Sequence, residues 1–91
     1  MNKYLAEFIG TFLLLLAILK ISATNKLMPL YIGLALTVSI IFGMNASGAH
    51  YNPVVSIIMM FDGKLTNNDT MLYIASQFLG GFTAYKVSKM L

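Results

Sequence analysis

The chain has 91 residues, room for one domain, and 58% hydrophobic against 10% charged side chains. Soluble domains carry ~25% charged residues, so a water-soluble globule is excluded as the first reading and membrane residence takes its place. The net charge of +3 comes from six scattered Lys and three acids, with no Arg and no Cys; this suggests no nucleic-acid patch and rules out disulfides, thiolate metal sites and Cys nucleophiles.

A first apolar span runs from about Tyr4 to Ile21, interrupted by Glu7 and Thr11. Lys3, the run 12–19 and the small residues at 22–24 superficially resemble a cleaved leader. Glu7 in the charged end and two later spans argue for a retained helix instead. From Leu27 to Phe61 there is no Asp, Glu, Lys or Arg. That stretch is too long for one span of ~20 residues and too short for two. It divides into a second span at about 28–42, with Pro29 in its first turn, then a non-helical stretch, then a short helix. Asn52 followed by Pro53 is a strong helix start, Asn capping and Pro taking the first helical position. The helix 53–61 would be only ~14 Å long, about half of a ~30 Å hydrocarbon core. It reads as a half-helix that enters the membrane and stops, with Val54, Ile57, Ile58 and Phe61 as its apolar stripe.

A polar break, Asp62 to Asp69, follows. Gly63 suits a helix C-terminus, and Asn68, Asp69 or Thr70 can cap the third span, about 70–88. Small residues recur every fourth position in that span, at Ser76, Gly80, Ala84 and Ser88, and Ala6 and Gly10 repeat the spacing in span one. Such stripes let helix backbones approach closely. The expected fold is an all-α, multi-pass integral membrane protein. Its single domain, 1–91, has three transmembrane helices, at about 4–21, 28–42 and 70–88, and one re-entrant half-helix at about 53–61.

The stretch SGAHYNPVVS, residues 47–56, puts Gly, His, Asn and Pro at membrane depth. Non-helical backbone there costs several kcal/mol per unpaired group unless it is buried in protein or lines a watery cavity. One reading is an ordinary interhelical turn. The other is a ladder of carbonyls from Met44 to Tyr51 ending at a positive helix N-terminus, a path for a neutral hydrogen-bonding solute that repels cations.

At these residues the chain resembles the aquaporin and glycerol-facilitator, or major intrinsic protein, family. SGAHYNPVV resembles the family's SGAHxNPAV signature. Residues 6–12, AEFIGTF, resemble its AEFxGTF start, and residues 73–81, YIASQFLGG, resemble its YxxAQxxGA stretch, with Ser76 where Ala is usual. The resemblance covers about residues 5–85. It implies a passive channel for water or small neutral solutes such as glycerol, and neither an enzyme nor a cofactor or metal site. It implies that Glu7 is a buried acid supporting the loop backbone, and that Gln77 packs beside the loop. Gly48, Ala49 and His50 would line the pore through their carbonyls, and Asn52 would be the central donor, with Pro53 and Val54 completing the signature. Val54 replaces the usual Ala. Ile32 and Val55 fall at the constriction positions, where family members carry an aromatic residue and an Arg. Gly10, Ser76, Gly80, Gly81 and Ala84 are the helix-packing positions.

The family fold has two inverted halves, and the chain corresponds to the first. The expected partners are therefore the bilayer, a second half-chain, and water or another small neutral solute, with a higher oligomer possible. The second half would be the same chain in inverted orientation or a separately encoded half. The Lys distribution, two against four between the two ends, is weak enough for dual orientation. Two other readings stand beside the channel: a non-conducting membrane interaction protein and a truncated remnant.

Overall fold

A computed structural model describes all 91 residues. The chain is all helical: α1 Lys3–Lys20, α2 Met28–Ser47, α3 Pro53–Phe61 and α4 Asn67–Met90. Each start has a local cause. The Asn2 side chain accepts from the amides of Tyr4 and Leu5, and Asn52 accepts from Val54 and Val55, which satisfies donors that helical bonding leaves free. The cap of α4 is Thr66, accepting from the Asp69 amide, so the helix begins ahead of the expected Asn68, Asp69 or Thr70. The α3 C-terminus closes with Lys64 N donating to Met59 O and Gly63 N to Met60 O. That is a Schellman closure around Gly63, whose φ of 76° is one that glycine adopts without strain.

The α2 helix differs most from the expected second span. It continues past residue 42 to Ser47 and ends at Gly48, φ 85°. Met44 to Ser47 are therefore helical, and the free backbone shrinks to Gly48–Tyr51 and the Asn52 cap. Continuing the helix keeps the backbone of five further residues internally bonded, the cheaper arrangement where water is absent.

The α1 helix packs against both α2 and α4, and α3 packs on α4; α2 and α3 do not pack on one another. Lys3 Nζ meets Asp69 Oδ2 at 2.7 Å, and Lys20 Nζ reaches the backbone oxygens of Ser88 and Leu91 at 3.5 and 3.3 Å. Thus α1 and α4 run parallel and share both ends. The molecule is 40 Å long, the thickness of a bilayer with its headgroups.

Its interior is the reverse of a soluble protein's. The buried side chains are chiefly polar: Glu7, Thr11, Ser39, Ser47, Ser56, Thr70 and Gln77, joined by Ala6, Tyr51, Tyr73 and Ala84. Large apolar side chains such as Ile41, Phe61, Leu79 and Phe82 lie outside, 62–77% exposed. This distribution suits lipid as the surrounding medium. By length and composition alone only α2, with mean hydropathy 1.6, is apolar enough to cross a membrane; α1 carries Lys3, Glu7 and Lys20, and α4 carries Asp69, Lys86 and Lys89.

Candidate functional site: a buried carboxylate beneath a four-residue loop

Glu7, fully buried on α1, accepts four hydrogen bonds. Oε2 takes Ser47 Oγ–H at 2.6 Å and the His50 amide at 3.0 Å; Oε1 takes the Tyr51 amide at 2.8 Å and Gln77 Nε2 at 2.9 Å. A carboxylate accepts without donating, and a backbone that turns its N–H groups inward is what it can hold.

The loop does turn them inward. Gly48 N donates to Met44 O, Ala49 N to Ser47 Oγ, and His50 N and Tyr51 N to Glu7. The carbonyls of Gly48, Ala49, His50 and Tyr51 receive no hydrogen bond within the chain. Ala49 and Tyr51 both sit at φ 54°, a left-handed conformation costing a non-glycine residue ~1–3 kcal/mol. The Glu7 and Ser47 contacts offset that cost and fix the alternation.

Three further contacts hold the loop from its sides. Tyr73 OH donates to Ser47 O at 2.7 Å. His50 Nδ1 lies 3.0 Å from Ser56 Oγ, which also receives Gln77 Nε2 at 2.9 Å, and the His50 ring packs against Tyr73 at 5.1 Å between centroids. The Tyr51 ring is wedged between α1 and α2, its hydroxyl donating to Ser39 O. A Cβ at Gly10 or at Gly43 would overlap that ring, so both glycines make room for it.

Asn52 is exposed at the α3 N-terminus. Its Oδ1 accepts from Val54 N at 2.8 Å and Val55 N at 3.4 Å, leaving the Nδ2 donors without a partner in the chain. Beside it a groove of about 540 Å³ runs between α1 and α4, lined by Thr11, Leu15, Gln77, Phe82 and Tyr85 and bounded by Asn52 and Pro53. Thr11 Oγ1 and Gln77 Oε1, both on residues at most 4% exposed, have no hydrogen-bond partner.

The structure therefore brings Glu7, Gln77, Gly48, Ala49, His50 and Asn52 together. It does not bring Ile32 to Val55, because Ile32 sits near the start of α2 and that helix makes no contact with α3. Val54 is exposed. At the packing positions, a Cβ on Gly80 would strike the backbone of Phe8, and Ala84 is buried. Ser76 and Gly81 are half-buried, and the Ser76 hydroxyl turns back to Leu72 O at 2.8 Å. The buried line of α4 is Thr70, Tyr73, Gln77, Gly80 and Ala84, a three- and four-residue alternation rather than every fourth position. Sequence reasoning missed Ser47, Tyr51, Ser56 and Tyr73. For Ser47, Ser56 and Tyr73 a signal was available: each is polar in an apolar stretch, and such a group needs a partner.

The family model described as major intrinsic protein matches residues 1–91. The chain is 39% identical over 88 residues to the glycerol uptake facilitator protein-like 6 of Lactiplantibacillus plantarum, covering 92% of this chain and 41% of that protein. It is 37% identical to the probable glycerol uptake facilitator protein of Thermotoga maritima (90% of this chain, 40% of the relative) and 33% identical to aquaporin-3 of Milnesium tardigradum (91% and 31%). It thus spans about a third to two fifths of the length of these curated relatives. No solved structure gives a significant match. With the whole chain matched, this protein belongs to the major intrinsic protein family, whose members are multi-pass integral membrane proteins and passive channels rather than enzymes.

Proposed function

We propose that the chain supplies one half of a passive membrane channel for water or small neutral solutes such as glycerol. The carrying observation is the one-sided loop: three amides tied inward to Ser47 and Glu7 and a fourth closing the α2 terminus, four carbonyls left free, and the unpaired Asn52 amide donors beside them. A hydroxylated solute can donate to those carbonyls and accept from Asn52 Nδ2. The positive N-terminal end of α3 disfavours a cation at the same point. The names of the glycerol uptake facilitator relatives favour a polyol as one solute.

In this reading residues 1–91 form one domain. α1, α2 and α4 cross the bilayer over about 4–21, 28–47 and 70–88, with α3 re-entrant. Glu7 and Gln77 support the loop; Gly48, Ala49, His50, Asn52, Pro53 and Val54 form the pore signature; Ile32 of one copy and Val55 of an inverted copy, apart within one chain, are the apolar constriction positions. Since α3 spans only about half of the hydrocarbon core, a second half-helix must meet its N-terminus. The groove beside Asn52, with Thr11 Oγ1 and Gln77 Oε1 unpartnered, supports a second half seated there. That half is an inverted copy of this chain or a separately encoded partner.

The test is osmotic. Proteoliposomes holding the chain alone should shrink faster than empty vesicles under impermeant sorbitol and re-swell faster in glycerol, without leaking a trapped anionic dye. Rates equal to empty vesicles for both solutes, from a folded and inserted chain, would overturn self-assembly into a channel. Dye leakage would overturn a solute-selective pore.

A further inference from the structure

The two ends of the bundle differ in charge. At one end every acidic side chain is engaged: Asp69 with Lys3 at 2.7 Å, Asp62 with Lys64 at 3.0 Å, and Glu7 beneath the loop. The other end, where α1 and α4 terminate, has no acidic side chain. It carries Lys20 on the last turn of α1, Lys26 in the connection to α2, and Lys86 and Lys89 near the end of α4, all exposed. The Lys20 contacts with Ser88 and Leu91 oxygens draw the two helix ends together. Two tyrosines accompany the lysines: Tyr31, 40% exposed in the first turn of α2, and Tyr85, 46% exposed, with Lys89 Nζ 5.3 Å over its ring. Exposed tyrosine next to lysine at a helix end is the composition of a membrane–water interface.

We propose that this end is a basic rim, formed by Lys20, Lys26, Lys86 and Lys89, that binds the headgroups of anionic phospholipids. Four ammonium groups with no acidic side chain to pair with, of which only Lys20 has hydrogen-bond partners, the Ser88 and Leu91 oxygens, lie at one end of a membrane bundle, where an interface would place lipid phosphates within their reach. Each lysine near an anionic surface is worth about fivefold in affinity. The long aliphatic stems cover apolar helix surface while the ammonium groups reach the phosphates. The rim meets one leaflet whichever way the chain inserts, so the inference stands apart from the channel reading.

Native mass spectrometry tests it, with the full chain in neutral detergent and equimolar phosphatidylglycerol and phosphatidylcholine. The wild type should retain phosphatidylglycerol at least about fivefold over phosphatidylcholine, and the preference should fade as salt shortens the screening length. K20Q/K26Q/K86Q/K89Q should lose the preference; K20R/K26R/K86R/K89R and K3Q/K64Q should keep it. Inorganic phosphate matched in concentration should not displace the lipid. Equal retention of the two lipids by wild type, an unchanged preference in the four-Gln variant, loss in K3Q/K64Q, or displacement by phosphate would each overturn the rim. If the four-Gln variant loses its helical circular dichroism, the wild-type lipid ratio, its salt dependence and the four-Arg variant decide.

Discussion

The Glu7 side chain accepts four hydrogen bonds, from Ser47, His50, Tyr51 and Gln77. Glu7→Gln keeps the size but replaces one acceptor oxygen with a donor NH₂, which must then face one of Ser47, His50, Tyr51 or Gln77. Leaving a buried donor unmatched costs about 1–3 kcal/mol, so the unfolding free energy in detergent should fall by that amount and the thermal midpoint with it. An unchanged midpoint would mean the carboxylate is not what holds the loop. Tyr51 offers a second test. Gly10→Ala should destabilise by ~1–3 kcal/mol through overlap with the Tyr51 ring, yet be tolerated in a Tyr51→Ala background. A double-mutant cycle with coupling under ~0.5 kcal/mol would contradict that wedge. Glu7 was legible through the family resemblance, and the need of an acid in an apolar span for donors agrees with it. Tyr51 was not, because it lies between two marked positions of the motif, and its use of Gly10 and Gly43 depends on how α1 and α2 cross.

At the element scale, α3 was legible to the residue, since Asn52-Pro53 sets its start and Gly63 its end. The end of α2 was not, because Asn45, Ala46 and Ser47 read as loop while the absence of water favours continuing the helix to Gly48. The α1–α4 contact was legible only in part. Small residues mark close approach, but which of Gly80 and Gly81 bears the load follows from helix rotation. A Cβ on Gly80 meets backbone atoms of Phe8, which cannot swing aside as a side chain could, whereas one on Gly81 meets Leu15 Cγ at an ordinary 3.8 Å. Gly80→Ala should therefore cost about 1–3 kcal/mol and Gly81→Ala less than about 0.5 kcal/mol in the same unfolding assay. Equal losses would place the contact elsewhere.

Across the whole molecule, the parallel pair α1 and α4 is clasped at the acid-bearing end by Asp69, which receives Lys3 Nζ and, at 2.6 Å, Tyr4 OH. The Lys3 hydrogen bond first, then that of Tyr4, holds the Asp69 carboxyl below its ordinary value of 3.8, and Asp69 holds the Lys3 ammonium above its ordinary 10.5. A carboxyl lowered on folding stabilises above its unfolded value and loses that contribution as pH falls through the folded one. An ammonium raised on folding stabilises below 10.5 and loses its contribution as pH rises further. The clasp should thus be constant between about 3.8 and 10.5. Asp69→Asn should lower the unfolding midpoint across that range and converge with wild type as pH falls well below 3.8; a constant gap at every pH would contradict the assignment.

The account rests most on a second half-helix meeting α3 at Asn52, and single-cysteine cross-linking in membranes tests that most directly. The chain has no cysteine, so an introduced one is the sole thiol. Val54, 65% exposed at the α3 N-terminus, and Phe61, 77% exposed at its far end, lie at opposite ends of a helix, ~10 Å apart along its axis. With inverted copies meeting at Asn52, Val54→Cys should form a disulfide-linked dimer under mild oxidant, while Phe61→Cys, carried toward opposite faces of the bilayer, should stay monomeric. A monomeric Val54→Cys in a folded, inserted chain, or Phe61→Cys dimerising equally well, would contradict the self-assembled pore.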